Sequence, residues 1–223
     1  RSSEAVLQEC RQLVEQGIRE ITLLGQNVNS FGMDKYGDGL SFVRLLEKVC
    51  SLPGLERVRF TTSHPKDIAR EVIEAFGRFE NLCPHLHLPL QSGSNRILRA
   101  MGRKYDREHY LQIVDKLRKA RPEIVLTTDI IVGFPGETEE DFELTMQTVK
   151  EVGFDSSYSF KYSDRPGVRA ESMQPKIPDI VKAERLQRLQ ALQDELIHRS
   201  LLAMEGKDFP VLVEGPNARA ASS

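Results

Sequence analysis

The stretch Val125-Leu-Thr-Thr-Asp-Ile-Ile-Val-Gly-Phe-Pro-Gly-Glu-Thr138 decides the fold. Val125 to Val132 is a nearly continuous apolar run, the pattern of a β-strand covered on both faces. It empties into a turn with two glycines, Gly133 and Gly136, followed by the acids Glu137, Glu139, Glu140 and Asp141. Thr138 with Asp141 three residues on resembles a capping box for a helix ending at Gly153. Strand, turn and helix in that order make part of a parallel βαβ unit. The glycines let the flat face of a ligand approach the backbone, and free N–H groups at the helix start can bind polar atoms. Acids at that start repel a phosphate, which favours a nucleoside or a cationic group. An ordinary turn with acids complementing the helix dipole has the same sequence. Neither GxxxxGK[ST] nor a GxGxxG after a strand occurs, so a P-loop is excluded.

The same alternation continues on both sides of this stretch. A helical period from Ser3 to Gly17 precedes a strand, Glu20 to Leu24, and a helix Ser41 to Cys50 precedes a strand, Arg57 to Thr61. Asp67 is placed to cap a helix running to Phe79, before a strand His85 to Leu90. Asp106 is placed to cap a helix to Ala120, and the last strand is Ser156 to Tyr162. Five strands separated by helices predict an α/β fold with parallel strands, either an open doubly wound sheet or all or part of a (β/α) barrel. Chemistry-bearing residues cluster just after the strands, at Gly25-Gln26-Asn27, Ser63-His64, Gln91-Ser92-Gly93-Ser94, Gly133 to Glu137 and Ser163 to Gly167. Both folds place active sites at those ends. Beyond Gly167, Pro175 and Pro178 mark a linker, and Asp179 to Ala203 is a long amphipathic helix. Lys207 to Glu214 reads as one strand of a further β unit.

Across 223 residues, 31 basic against 33 acidic side chains leave a net charge of −2, which excludes a polybasic binder held by global charge. Basic residues are concentrated from Arg96 to Arg121, where clustered cations near an active-site rim suit a polyanion; Arg103 and Lys104 are the RNA-contact candidates, and the end of a helix also accounts for the last of these charges. No apolar run is long enough for a membrane span and no signal peptide opens the chain, so the protein reads as soluble and intracellular, with no membrane partner. Cys10, Cys50 and Cys83 form no CxxC or CxxxCxxC and read as buried thiols. His85 and His87 share one strand face; hydrogen-bonded histidines inside a barrel or sheet are favoured over a metal pair. Asp129 is a buried carboxylate that needs a partner, with a structural or a catalytic role open to it. A start at Arg1 without methionine reads as a fragment of a longer protein.

Leu23-Leu-Gly-Gln-Asn-Val-Asn29, Thr62-Ser-His-Pro-Lys-Asp67, His87-Leu-Pro-Leu-Gln-Ser-Gly-Ser94, the segment Thr128 to Phe142, and Tyr162-Ser-Asp-Arg-Pro-Gly167 together resemble the radical-SAM methylthiotransferases. Within that family the match is to the tRNA enzymes that methylthiolate isopentenyl-adenosine beside the anticodon. The resemblance implies a partial (β/α) radical-SAM barrel over 1–167, a linker and long helix over 168–206, and the truncated start of a small RNA-binding β domain, TRAM, over 207–223. It implies S-adenosylmethionine across the strand ends: Gly25, Gln26 and Asn27 at the methionine end, Gln91 and Ser92 near the ribose or carboxylate, and Gly133, Gly136 and Glu137 at the adenine. Arg103, Lys104 and Arg165 are the implied RNA contacts. The partners implied are tRNA and an electron donor such as flavodoxin or ferredoxin, in the cytoplasm. The family's 4Fe-4S cluster is held by a CxxxCxxC loop expected upstream of Arg1, so no metal ligand is expected in this chain. Alternatives are the sister enzymes acting on a ribosomal protein and a non-catalytic barrel that binds RNA or a partner.

Overall fold

The structure is a computed structural model that describes residues 1–25, 28, 31–32, 38–61, 65–213 and 215. Its strands are β1 (Glu20–Leu23), β2 (Arg57–Phe60), β3 (His85–His87), β4 (Val125–Val132) and β5 (Ser156–Lys161). β1 pairs with β2, and β3, β4 and β5 pair in that order; every pairing is parallel. Val58 joins the two sets, accepting from Cys83 N at 2.9 Å and donating to Asn81 O at 2.8 Å. The result is an arc of five parallel strands in chain order, as the alternating pattern predicts.

The helices are α1 (Ser3–Glu15), α2 (Phe42–Cys50), α3 (Arg70–Arg78), α4 (Asn95–Ala100), α5 (Arg107–Ala120), α6 (Glu139–Val152) and α7 (Asp179–Leu202). In α2 the buried Phe42, Leu45, Leu46, Val49 and Cys50 recur at helical spacing, which turns one stripe to the sheet. Asp106 caps α5 by accepting from His109 N at 2.8 Å, and the Thr138–Asp141 capping box at the start of α6 is formed in full. α6 ends at Gly153, whose φ of 60° is the left-handed conformation that releases the chain toward β5. Asp67 falls in a short 3-10 turn at Pro65–Asp67; the cap position of α3 is Ala69, which offers no side-chain cap, and the helix starts at Arg70. β3 is also shorter than predicted. Pro89 has no N–H to offer the ladder, and Leu90 donates instead to the Thr128 hydroxyl at 2.8 Å, before the pairing resumes at Gln91 and Ile130.

β4 is not covered on both faces. Leu126, Thr128, Ile130 and Val132 are buried, whereas Val125, Thr127, Asp129 and Ile131 are only half-buried. Helices cover the convex side of the arc, and the alternate residues of each strand line a concave side. α7 lies across the far end, against β5, β4 and α6. The described part of the expected β unit, Lys207 to Val213, forms no strand: its alternating Phe209, Val211 and Val213 are exposed and no neighbouring strand pairs with them. Among the described residues no helix is long and apolar enough to cross a membrane.

Candidate active site

A cleft of about 670 Å³ opens at the C-terminal ends of β4 and β5, within the size range of small-molecule sites. Ile131, Phe134, Phe160 and Tyr162 give it apolar walls, with the Phe134 and Tyr162 rings edge to face at 5.2 Å. Arg103, Arg165 and Arg169 stand around it, and the Nε of Arg103 is buried with no hydrogen-bond partner among the described residues. The arginines arrive from two separate segments, one after α4 and one after β5. Two of the three RNA candidates thus meet at one cleft; Lys104 is exposed beside them and does not line it.

None of the described residues expected to hold a cofactor lines this cleft. Gly25 is exposed at the end of β1, while Gln26 and Asn27 lie outside the described residues. Gln91 is 7 % exposed and adopts φ 67°, unusual for a residue with a side chain; its N–H donates to Asp129 O at 2.7 Å and its carbonyl accepts from Ile131 N at 3.0 Å. Ser92 has no exposed surface: its hydroxyl lies 3.3 Å from that of Thr145 and accepts from Ser94 N. Gly93 donates to Thr145 Oγ1 at 2.9 Å, so this turn docks on α6. Gly136 is tied on both backbone groups, donating to Pro175 O and accepting from Arg96.

Glu137 is committed in the same way. Its carboxylate accepts from Gly133 N at 2.6 Å and from Arg185 of α7 at 2.8 Å, with both side chains almost fully buried. Burial pushes the carboxyl upward, against the opposing pull of the Gly133 amide and the Arg185 guanidinium. Gly133, at φ 72°, has Lys182 Cγ where a side chain would sit, 2.4 Å from an ideal Cβ. Asp141 is also spoken for. Burial raises its carboxyl, but hydrogen bonds from Arg96 and Ser94, with Thr138 behind them, outweigh that and hold it down to about 2. The internal partners of Ser92, Gly136 and Glu137 come from elements about 40 to 50 residues away, beyond the reach of local pattern.

Below the cleft, the concave face carries polar and aromatic groups. His87 Nδ1 lies 3.0 Å from Thr127 Oγ1, and its Nε2 lies 3.4 Å from Asp129 Oδ2. Asp129 is therefore half-exposed on this face and finds a neighbour across the strand, rather than being buried. His85 faces the same side as His87, as the alternation predicts; burial, helped by Arg59, pulls its basicity down. Tyr158 and Phe160 project beside them at 61 % and 54 % exposure. Thr127, Ile131, Tyr158 and Phe160 were not singled out from the sequence; their signal is the second parity of β4 and β5, opposite to the core-facing residues.

Residues 1–149 match the Radical SAM superfamily. The chain belongs to that superfamily. Two relatives named tRNA-2-methylthio-N(6)-dimethylallyladenosine synthase, from Nitratidesulfovibrio vulgaris (strain DP4) and Oleidesulfovibrio alaskensis, are 63% and 59% identical over 96% and 100% of this chain, in each case 48% of the relative. The chain thus spans about half the length of the curated relatives it matches. Among solved structures, the radical SAM enzyme coproporphyrinogen III oxidase (HemN) from Escherichia coli superimposes with a TM-score of 0.62 at 16% identity, over 87% of this chain and 46% of that one. The radical S-adenosylmethionine methyltransferase TsrM from Kitasatospora setae gives 0.55 at 17% identity, over 72% of this chain and 31% of that one. At those identities the likeness is one of fold.

A radical SAM protein calls for a cluster and a nucleoside cofactor, and the described residues answer the two differently. Cys10, Cys50 and Cys83 are buried on the helix-facing side, and burial raises each thiol, Cys50 to about 12. Cluster ligation needs thiolates converging on one point, so these cysteines do not fit it. The cleft does fit a nucleoside, with flat apolar walls and a volume to match.

Proposed function

We propose that this chain is part of a tRNA methylthiotransferase that places a methylthio group on dimethylallyladenosine. The observation that carries this reading is the 63% identity over 96% of the chain to a relative of that name. The geometry agrees with it: an apolar cleft at parallel strand ends suits a nucleoside, and the surrounding arginines suit RNA phosphates. Ile131 and Phe134 would pack on the nucleoside end of S-adenosylmethionine, while Arg103 and Arg165, with Lys104 beside them, receive the tRNA backbone. The methionine end falls to the Gly25-Gln26-Asn27 segment. Gln91, Ser92, Gly133, Gly136 and Glu137 act one layer back, fixing the backbone that shapes the cleft. When bound, a 4Fe-4S cluster supplies the electron for reductive cleavage of S-adenosylmethionine, drawn from a donor such as flavodoxin or ferredoxin. Acting on tRNA, the protein would work in the cytoplasm.

The test is anaerobic turnover by the full-length protein, reconstituted with iron and sulfide, using S-adenosylmethionine, a reductant and tRNA carrying dimethylallyladenosine. Mass analysis of the digested nucleosides should show the methylthio product. Its absence, with S-adenosylmethionine still cleaved, would overturn the substrate assignment.

A further inference from the structure

One face of β4 and β5 pairs Asp129 with Tyr158 and Ile131 with Phe160 in register. Two steps along a strand cover about 6.6 Å, so a polar step and an apolar step follow one another over roughly the length of a nucleobase and its substituent. The two aromatic rings on this face are more than half exposed, although burying each would be favourable. Open aromatic faces on a concave sheet suit stacking of a flat ligand.

The hydrogen-bonding sense of the polar step follows the tautomer of His87. The Thr127 hydroxyl engages His87 Nδ1 at 3.0 Å, and when it donates there the ring proton resides on Nε2. That Nε2–H then stands 3.4 Å from the Asp129 carboxylate, which is partly exposed on this face. In that tautomer a donor and an acceptor lie side by side. Tyr158 lies against this pair, its ring centroid 6.3 Å from that of His87. Neighbouring acceptor and donor atoms are what the edge of a purine presents.

We infer that Tyr158, His87 and Asp129 form a base-recognition platform, with Tyr158 stacking on the target purine and the His87–Asp129 pair reading its edge. Phe160, one step further along β5 and in the wall of the cleft, receives the apolar substituent of the base. This assignment rests on the proposed tRNA substrate and adds the residues that select the base.

Equilibrium binding by the full-length protein of three anticodon stem-loop RNAs, identical except at the target position, tests it. That position carries dimethylallyladenosine, adenosine or an abasic sugar. The native protein should bind them in that order of affinity. Tyr158→Ala should weaken the two base-bearing RNAs by roughly 5- to 140-fold and leave the abasic RNA unchanged. His87→Leu should act in the same direction, with His87→Gln restoring part of the affinity, and Phe160→Ala should erase only the advantage of the dimethylallyl RNA. Equal losses on all three RNAs, or a native protein that does not separate adenosine from the abasic RNA, would overturn the platform while leaving the proposed function standing. Failure of the native protein to bind any of the three would overturn both.

Discussion

Arg185→Met removes the cation that α7 inserts behind the glycine turn while keeping much of the apolar stem. In the native chain the guanidinium reaches the Glu137 carboxylate at 2.8 Å, the Glu137 carbonyl at 3.2 Å and Glu139 at 3.1 Å. Glu137 is the partner that matters, because its side chain is 1% exposed whereas that of Glu139 is 51% exposed and can return to water. Breaking a buried pair from one side costs about 3–5 kcal/mol, since the remaining charge stays buried. For a chain of this size that lowers Tm by roughly 6–20 °C. Removing both charges is different. In the double variant Glu137→Gln/Arg185→Met, the amide oxygen can still accept from Gly133 N and no charge is left behind, so most of the loss should return.

The pH dependence has a definite sign. Burial already raises the Glu137 carboxyl above its unfolded value, and loss of Arg185 removes one of the groups opposing that. A raised carboxyl binds its proton more tightly in the folded state, so stability falls as pH rises from the unfolded value of about 4.3 through the folded one. Urea unfolding of the native chain, both single variants and the double variant, at about pH 5 and about pH 8, reads all of this. The reasoning fails if Arg185→Met loses less than about 1 kcal/mol at the higher pH. It also fails if the double variant is no more stable than Arg185→Met.

Gly93→Ala places a Cβ 2.4 Å from Leu144 O and 2.6 Å from Thr145 Cα, so α6 must retreat; a loss of about 1–3 kcal/mol in urea unfolding is expected. Asp141→Asn should destabilise by about 2 kcal/mol near neutral pH. Because native Asp141 is held down to about 2, that difference is fully present above the unfolded carboxylate range and disappears as pH falls toward 2, which acid titration of both proteins would show. Cys10, Cys50 and Cys83 should resist a thiol reagent at neutral pH until the chain unfolds, with Cys50, raised to about 12, the slowest.

The helix and strand order was legible because each unit carries its own local signal. The capping box at Thr138 and the stripe on α2 depend only on residues a few positions apart. The failures are positional. Thr127 and Asp129 interrupt the apolar run of β4 on one parity, and that parity is the concave face, so a run read as buried on both sides is buried on one. Phe209, Val211 and Val213 alternate like a strand, but alternation does not supply a pairing partner. At the site, the glycine, serine and glutamate that follow the strands are held by internal hydrogen bonds. Their orientation depends on Thr145, Pro175 and Arg185, and no local window contains both members of those pairs.

Charge at the cleft shows how far such distant partners alter a local reading. Glu137, Glu139 and Asp141 look from the sequence like an acidic mouth that repels phosphate. In the fold each is met by an arginine from elsewhere: Glu137 and Glu139 by Arg185, Glu139 again by Arg188 and Asp141 by Arg96. The arginines that line the cleft are Arg103, Arg165 and Arg169, a set that suits a polyanion. Neutralising a phosphate releases counterions, and the slope of log affinity against log salt becomes shallower by about 0.7 for each phosphate of single-stranded RNA that is no longer neutralised. Arg165→Ala should reduce that slope for anticodon stem-loop RNA by about this amount and weaken modified and unmodified RNA alike. Glu140→Gln, at an exposed acid of the same helix start, is the control. It changes the charge by the same amount and in the opposite direction, so slopes that shifted by equal amounts in opposite directions would mean that net charge, and not the arginines at the cleft, draws the RNA in.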